Sequence, residues 1–235
     1  MNILVTGASK GIGRVIAQEL KKDARVFVTA RSKQNLIELD CQGYFVCDLS
    51  NEKDLTALGE FIKTNKIDVL INNAGEYIYS NIENTKLDEL NHIIEVNLKA
   101  PIYLTSCAIE YMKSNNFGRI INIGSISGVM GEACASMYSA TKSALIGFSK
   151  ATGLELAQYG ITVNTINPGW VDTELGKNSI EDSEFSQEEI LECIPQKRFV
   201  SPLEIASLVK YLISDSAKGI TGQSINLCAG LSVGF

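Results

Sequence analysis

The chain has 235 residues, 45% of them hydrophobic and 20% charged, with four prolines and a formal net charge of -6, a composition that excludes disorder and low complexity and suits one α/β domain with a substantial core. The pI is near 5.0 and no Lys/Arg run is long enough to make a phosphate-binding stripe, so neither nucleic acid nor a membrane is an expected partner, while small molecules stay open. The opening, MNILVTGASKG, has no basic leader and its apolar stretch ends at Gly7, too soon for a signal peptide or membrane span, so a cytoplasmic protein is expected.

Short β-branched runs at 2–6 (NILVT), 25–30 (RVFVTA), 43–47 (GYFVC), 67–72 (IDVLIN), 118–125 (GRIINIGS), 161–167 (ITVNTIN) and 223–227 (QSINL) read as strands. Between them, stretches such as IGRVIAQELKK and SALIGFSKATGLELAQ carry apolar residues at helical spacing. Nearly continuous apolar strands, each followed by a helix, predict an α/β fold of the Rossmann type: one domain, with a doubly wound, seven-stranded parallel sheet and helices on both faces. Residues 174–199 break the rhythm, being polar, acidic and only partly helical. They precede a helix opening at SPLEIASLVKYL, where Ser-Pro with Glu204 is a helix entry signal. An insertion at a strand end of an open sheet is where a substrate lid would lie; a surface loop without a role is the other reading.

The six cysteines show no CxxC spacing, and His92 is the sole histidine. Reduced, mostly buried thiols are expected. No metal site is expected, and a lone histidine builds neither a zinc centre nor a Ser/His triad.

The first strand runs into TGASKGIG. Gly7 permits a tight turn, Gly11 lets backbone approach phosphate, and Gly13 allows helix to pack on strand; with Ser9, Lys10 and Ile12 they form a candidate pyrophosphate cradle, an ordinary turn being the alternative. A site for NAD usually ends its second strand with Asp or Glu, whereas VTARS has no acid. Arg31 and Lys10 are two cations suited to a 2′-phosphate, which points to NADP(H) as cofactor, unless both are solvated surface charges. In CDLS, Asp48 is placed to accept from the adenine amino group with Leu49 behind the ring. NNAG sets Asn72, Ala74 and Gly75 beside the same crevice. For both motifs a purely turn-forming role stands as the alternative.

Tyr138 and Lys142, four apart in YSATK, share a helix face. A phenol holds its proton to about pH 10. The neighbouring ammonium, or an oxidised nicotinamide, is expected to lower that value and fit the pair for acid/base work. Of the eight tyrosines only Tyr138 has Lys four places on. Upstream, NIGSIS ends the fifth strand with Ser125, a hydroxyl able to hold a substrate carbonyl.

TGASKGIG, NNAG, Ser125, YSATK and NPGWVDT, with the closing PQKRFVSPLEIA and GITGQSINLCAG, resemble the short-chain dehydrogenase/reductase family end to end, nearest its bacterial 3-oxoacyl-carrier-protein reductase branch. The resemblance implies one dinucleotide-binding and catalytic domain over 1–235, with Tyr138 as acid/base and Ser125 positioning the carbonyl. Lys142 would lower the Tyr138 value and bind the nicotinamide ribose, and Asn97 in EVNLKAP would help hold a proton-relay water. Pro168, Gly169, Val171 and Thr173 would receive the nicotinamide. It also implies reduction of a ketone to a secondary alcohol, and a homotetramer or homodimer joined partly by the tyrosine helix.

The match to the carrier-protein branch is incomplete. Asn116 in NNFGR and Tyr159 in QYGITVN occupy places where that branch typically has basic residues, and 174–199 adds Glu181, Asp182, Glu184, Glu188, Glu189 and Glu192 near the expected entrance. An anionic carrier would meet unfavourable charge there. A small-molecule carbonyl is the expected substrate, with a 3-oxoacyl thioester retained. Oxidation of a sugar or other hydroxylated metabolite, and a non-enzymatic dinucleotide sensor, are the rival readings. Trp170 is a candidate pocket wall, or else a structural or subunit contact.

Overall fold

Each of the seven β-branched runs forms a strand. A computed structural model of the protein describes residues 1–182 and 185–233. The strands are β1 (Asn2–Thr6), β2 (Arg25–Ala30), β3 (Gly43–Val46), β4 (Val69–Asn72), β5 (Gly118–Ile123), β6 (Ile161–Pro168) and β7 (Ser224–Leu227). The helices are α1 (Gly11–Leu20), α2 (Lys33–Ile37), α3 (Glu52–Thr64), α4 (Leu87–Ile94), α5 (Ala100–Ser114), α6 (Ser127–Met130), α7 (Ser136–Leu156), α8 (Glu174–Asp182), α9 (Gln187–Cys193) and α10 (Pro202–Leu212). All strand pairs are parallel, in the order β3-β2-β1-β4-β5-β6-β7. The chain winds outward in both directions from β1 and β4, which opens a crevice at the carboxyl ends of those two strands.

Successive residues of a strand face opposite sides of the sheet, and here both sides are covered. Ile3 and Val5 of β1 pack with Ile16 of α1 and Ile205 and Val209 of α10, whereas Leu4 packs with Leu58 and Ile62 of α3 and Leu104 of α5. That is why the strand sequences are apolar without alternation. Ser201 caps α10, and Glu204 returns to accept the Ser201 backbone N–H at 2.8 Å, the capping box expected from Ser-Pro-x-Glu. Ser186 and Glu189 form a second such box at α9, so 174–199 is largely helical. Glu184, one of the acidic residues named for the entrance, lies outside the described residues.

Four strands are shorter than their sequence runs, β3 and β7 by one residue and β4 and β5 by two. β4 begins at Val69 because Asp68 is occupied at the sheet's edge, donating its N–H to Asn2 O (2.9 Å) and accepting the Asn2 N–H on its carboxylate (2.7 Å). β5 ends at Ile123, after which the chain bends and turns Ser125 into the crevice.

A buried polar ladder fixes α7 to the sheet. Asn72 Nδ2 donates to Asn122 Oδ1 (2.8 Å), Asn122 Nδ2 to Ser149 Oγ (2.8 Å), and Thr165 Oγ1 to Ser149 Oγ (2.7 Å), linking β4, β5, β6 and the helix that carries Tyr138. Among the described residues no helix is long and apolar enough to cross a membrane, and no group of three or more His, Cys, Asp or Glu side chains is placed to hold a metal ion.

Candidate active site

Two loop ends are tied together to make the floor of the crevice. Thr6 Oγ1 accepts the backbone N–H groups of Asn73 and Ala74, each at 3.0 Å, and Asn73 Nδ2 donates to Thr6 O (2.9 Å) and Gly7 O (3.2 Å). Gly7 has φ +66°, and a Cβ there would stand 2.7 Å from Ala74 Cα, so only glycine allows the two loops to meet. At Gly13 a Cβ would lie 2.5 Å from Gly7 O and would also strike Asn73 Nδ2. Gly13→Ala is expected to cost about 1–3 kcal/mol of stability, lowering Tm by several degrees in thermal unfolding. An unchanged Tm would show that the turn has slack.

Above this floor lies a cavity of about 860 Å³. Gly7, Ser9, Lys10, Gly11 and Ile12 line it from the first turn, Arg31 from the end of β2, and Asp48 and Leu49 from the end of β3. Ala74 and Gly75 face it from the loop after β4, and Pro168, Gly169, Trp170, Val171 and Thr173 from the segment after β6. Ser125, Tyr138 and Lys142 form the wall between those two loops. Gly13 does not line the cavity but lies against the floor, packing α1 on the turn.

One of the sequence expectations is corrected. Asn72 is buried and turned away, engaged in the ladder under α7; the neighbouring Asn73 lines the cavity instead. Strand alternation decides which amide of NNAG faces the crevice, and the letters alone do not. Asn97 is fully buried and also does not line the cavity. It sits in a π-helical turn (Glu95–Lys99), accepts the Glu76 N–H at 2.8 Å, and donates to Glu76 O at 2.9 Å and Thr141 Oγ1 at 3.2 Å. Its amide braces the loop after Gly75 against α7.

Burial dominates the electrostatics of the wall. Lys142 is 3% exposed and donates to Ile123 O at 2.9 Å, with Nζ 5.5 Å from the Tyr138 ring centroid. Burial pushes the Tyr138 phenol up to about 12; the hydrogen bond with Ser125 opposes this and the Glu132 carboxylate adds to it. Burial also brings Lys142 down to about 8. In the cofactor-free site burial thus disfavours the charged form of both groups.

Several lining residues carry no signal in the sequence. Tyr77 stacks edge-on against Tyr138, ring centroids 5.0 Å apart, and its hydroxyl donates to Glu132 at 2.7 Å. Ser127 Oγ donates to the other Glu132 oxygen at 2.5 Å and lies 3.1 Å from Ser125 Oγ. At the other end Arg31 pairs with Glu76 (3.0 Å), whose second oxygen meets His92 (2.7 Å), and Lys10 pairs with Glu174 (3.1 Å). Asp48 is held below the usual carboxylate range, first by the Ser50 hydroxyl.

A doubly wound parallel sheet with a glycine turn, and a Ser/Tyr/Lys wall at its switch point, defines a Rossmann-type oxidoreductase. The chain belongs to the short-chain dehydrogenase family, whose model matches residues 1–184. Its relatives include the 3-oxoacyl-[acyl-carrier-protein] reductase FabG of Salmonella typhimurium, 37% identical over 97% of this chain and 96% of the relative. Actinorhodin polyketide ketoreductase, solved as a single-residue variant with NADPH, superimposes with a TM-score of 0.92 at 35% identity, covering 99% of this chain and 97% of that one. A provisionally assigned NAD(P)-dependent gluconate 5-dehydrogenase from Beutenbergia cavernae, solved with NADP bound, gives 0.92 at 30% identity, covering 98% and 96%.

Proposed function

We propose that the protein is an NADP(H)-dependent reductase that converts a ketone to a secondary alcohol. The observation that carries this is the joint placement of Ser125, Tyr138 and Lys142 on one wall of the cavity whose far end is built from the glycine turn and Arg31. The residues fit the dinucleotide: β2 ends without an acid, Arg31 stands at that end with its side chain 66% exposed, and Asp48 and Leu49 border the same region. Gly11 and its neighbours would hold the pyrophosphate and Arg31 the 2′-phosphate, exchanging its Glu76 partner for the dianion. When bound, the reduced cofactor supplies hydride to the carbonyl carbon. Ser125 donates a hydrogen bond that orients the carbonyl oxygen, and Tyr138 Oη releases its proton to that oxygen as negative charge develops. Lys142 places a positive charge beside the resulting phenolate. Asn97 acts as a positioning residue through the Glu76 backbone and Thr141.

Tyr138 carries its proton at neutral pH, the state that reduction draws on, and by microscopic reversibility the same wall serves oxidation of the alcohol. Relatives that include a carrier-protein reductase and a polyketide ketoreductase support a ketone substrate. Lys113 Nζ sits 4.6 Å over the Tyr159 ring, so the face expected to lack docking cations keeps one, and a thioester-linked substrate stays a second reading. Leu175, Phe185 and Ile190 line the cavity, which supports 174–199 as a lid over the substrate end. Six free thiols support a reducing, cytoplasmic setting. A homotetramer or homodimer joined partly through α7 belongs to the same proposal.

The test is NADPH oxidation with a panel of ketones. Turnover with NADPH and much slower turnover with NADH are expected, and Arg31→Ala should cut that preference by about tenfold or more, the worth of one charge-assisted contact. Equal rates with both cofactors in the wild type would overturn the assignment to NADP(H).

A further inference from the structure

We propose that Glu132, framed by Tyr77 and Ser127, is a subsite for a substrate ammonium group, so that the preferred substrate is an amino ketone rather than a carboxylate- or phosphate-bearing one. The inference rests on the ketone-reductase reading and names the substrate class for that site. Glu132 lines the cavity between Tyr77 and the serine pair. Each of its oxygens accepts one hydroxyl, at 2.7 Å from Tyr77 and 2.5 Å from Ser127. An ionised carboxylate offers about four acceptor sites, so capacity remains on both oxygens.

None of the ion pairs among the described residues involves Glu132. A partly buried carboxylate held by neutral hydroxyls alone is a charge awaiting a counter-ion, because leaving it uncompensated in a partly apolar cavity is costly. The cations lining the cavity are Lys10, Arg31 and Lys142. Two of these already meet carboxylates at the dinucleotide end, and Lys142 is directed at Ile123 O beside Tyr138. The substrate end therefore presents a negative charge with aromatic faces, Tyr77, Tyr79, Trp170 and Phe185. Anion and π-faces together suit an ammonium ion.

Position selects the substituent. Ser127 Oγ bridges Glu132 to Ser125 Oγ, which places the carboxylate two hydrogen bonds from the hydroxyl that orients the carbonyl, within reach of an amine one or two carbons away. A substrate carboxylate at that place would face Glu132 directly. An ammonium would instead cancel the charge that helps hold the Tyr138 proton, so recognition assists proton release.

Three phenyl ketones that differ only in the group beside the carbonyl test this: phenacylamine (ammonium), propiophenone (methyl) and benzoylacetate (carboxylate). With wild type and NADPH, kcat/KM should favour phenacylamine over propiophenone by about tenfold, with benzoylacetate poorest. Glu132→Gln should raise KM for phenacylamine about tenfold, leave KM for propiophenone nearly unchanged, and lower KM for benzoylacetate. A merely structural Glu132 predicts instead that all three substrates lose activity alike, and that result overturns the proposal, as does a wild-type preference for benzoylacetate. Calorimetry with the product-like amino alcohol phenylethanolamine, on the protein alone and with NADP⁺, separates the two layers. Glu132-dependent binding without turnover of any ketone sustains the subsite and refutes the reductase; absence of Glu132-dependent binding refutes the subsite.

Discussion

Replacing Tyr138 with Phe is expected to lower kcat for ketone reduction by about three orders of magnitude, on the order of 4 kcal/mol of transition-state stabilisation, while NADPH affinity stays close to wild type. The substitution removes only the hydroxyl. The ring still packs edge-on against Tyr77 at 5.0 Å, and α7 is still fixed by the ladder through Ser149. Loss of rate with retained cofactor binding, read by steady-state turnover beside a fluorescence titration of NADPH, therefore isolates the proton. A variant that binds NADPH and keeps more than about a tenth of wild-type turnover would show that water protonates the alkoxide unaided, since general acid catalysis is worth about a hundredfold at least.

Lys142→Met should be the second most damaging change, and it should act on two quantities at once. The ammonium is buried against Ile123 O, close to where a phenolate forms on Tyr138, so its removal should lower kcat by about a hundredfold and also raise KM for NADPH. Arg is not expected to rescue, because a planar guanidinium does not fit the pocket of a single point charge with one carbonyl partner. Since burial brings Lys142 to about 8, the group is charged below that pH and neutral above it. In the free enzyme, kcat/KM for reduction should accordingly fall as pH rises through about 8. Tyr138, up at about 12, stays protonated across that range and produces no such limb. A rate flat from about pH 7 to 10 would mean the Lys142 charge is not used.

The strands were legible because a sheet covered on both faces leaves its signature in every residue of the run: β2 occupies 25–30 just as RVFVTA reads. The glycine turn, Arg31 and the Ser/Tyr/Lys wall were legible because each lies at a strand end or at a helical offset from one. What escaped depends on three-dimensional choices. Strand alternation sends Asn72 inward and leaves Asn73 at the crevice. The π-turn that carries Asn97 is a one-residue register change with no composition of its own. Glu132 and Tyr77 are 55 residues apart in sequence and meet only because the loops after β4 and β5 share an edge of the sheet. Proximity of a cation to Tyr138 is visible in the sequence, whereas the opposing loss of water on burial is not.

The most direct test of the central claim follows the hydride itself. Wild-type protein is mixed with a ketone and NADPH deuterated at the transferring position of the nicotinamide, and the alcohol formed is analysed by mass spectrometry. The account predicts a single deuterium on the carbinol carbon of the product, formed at a rate that collapses in Tyr138→Phe. Tight NADPH binding with no deuterated alcohol from neutral, amino or acyl ketones would contradict it and leave a dinucleotide-binding protein that does not catalyse reduction.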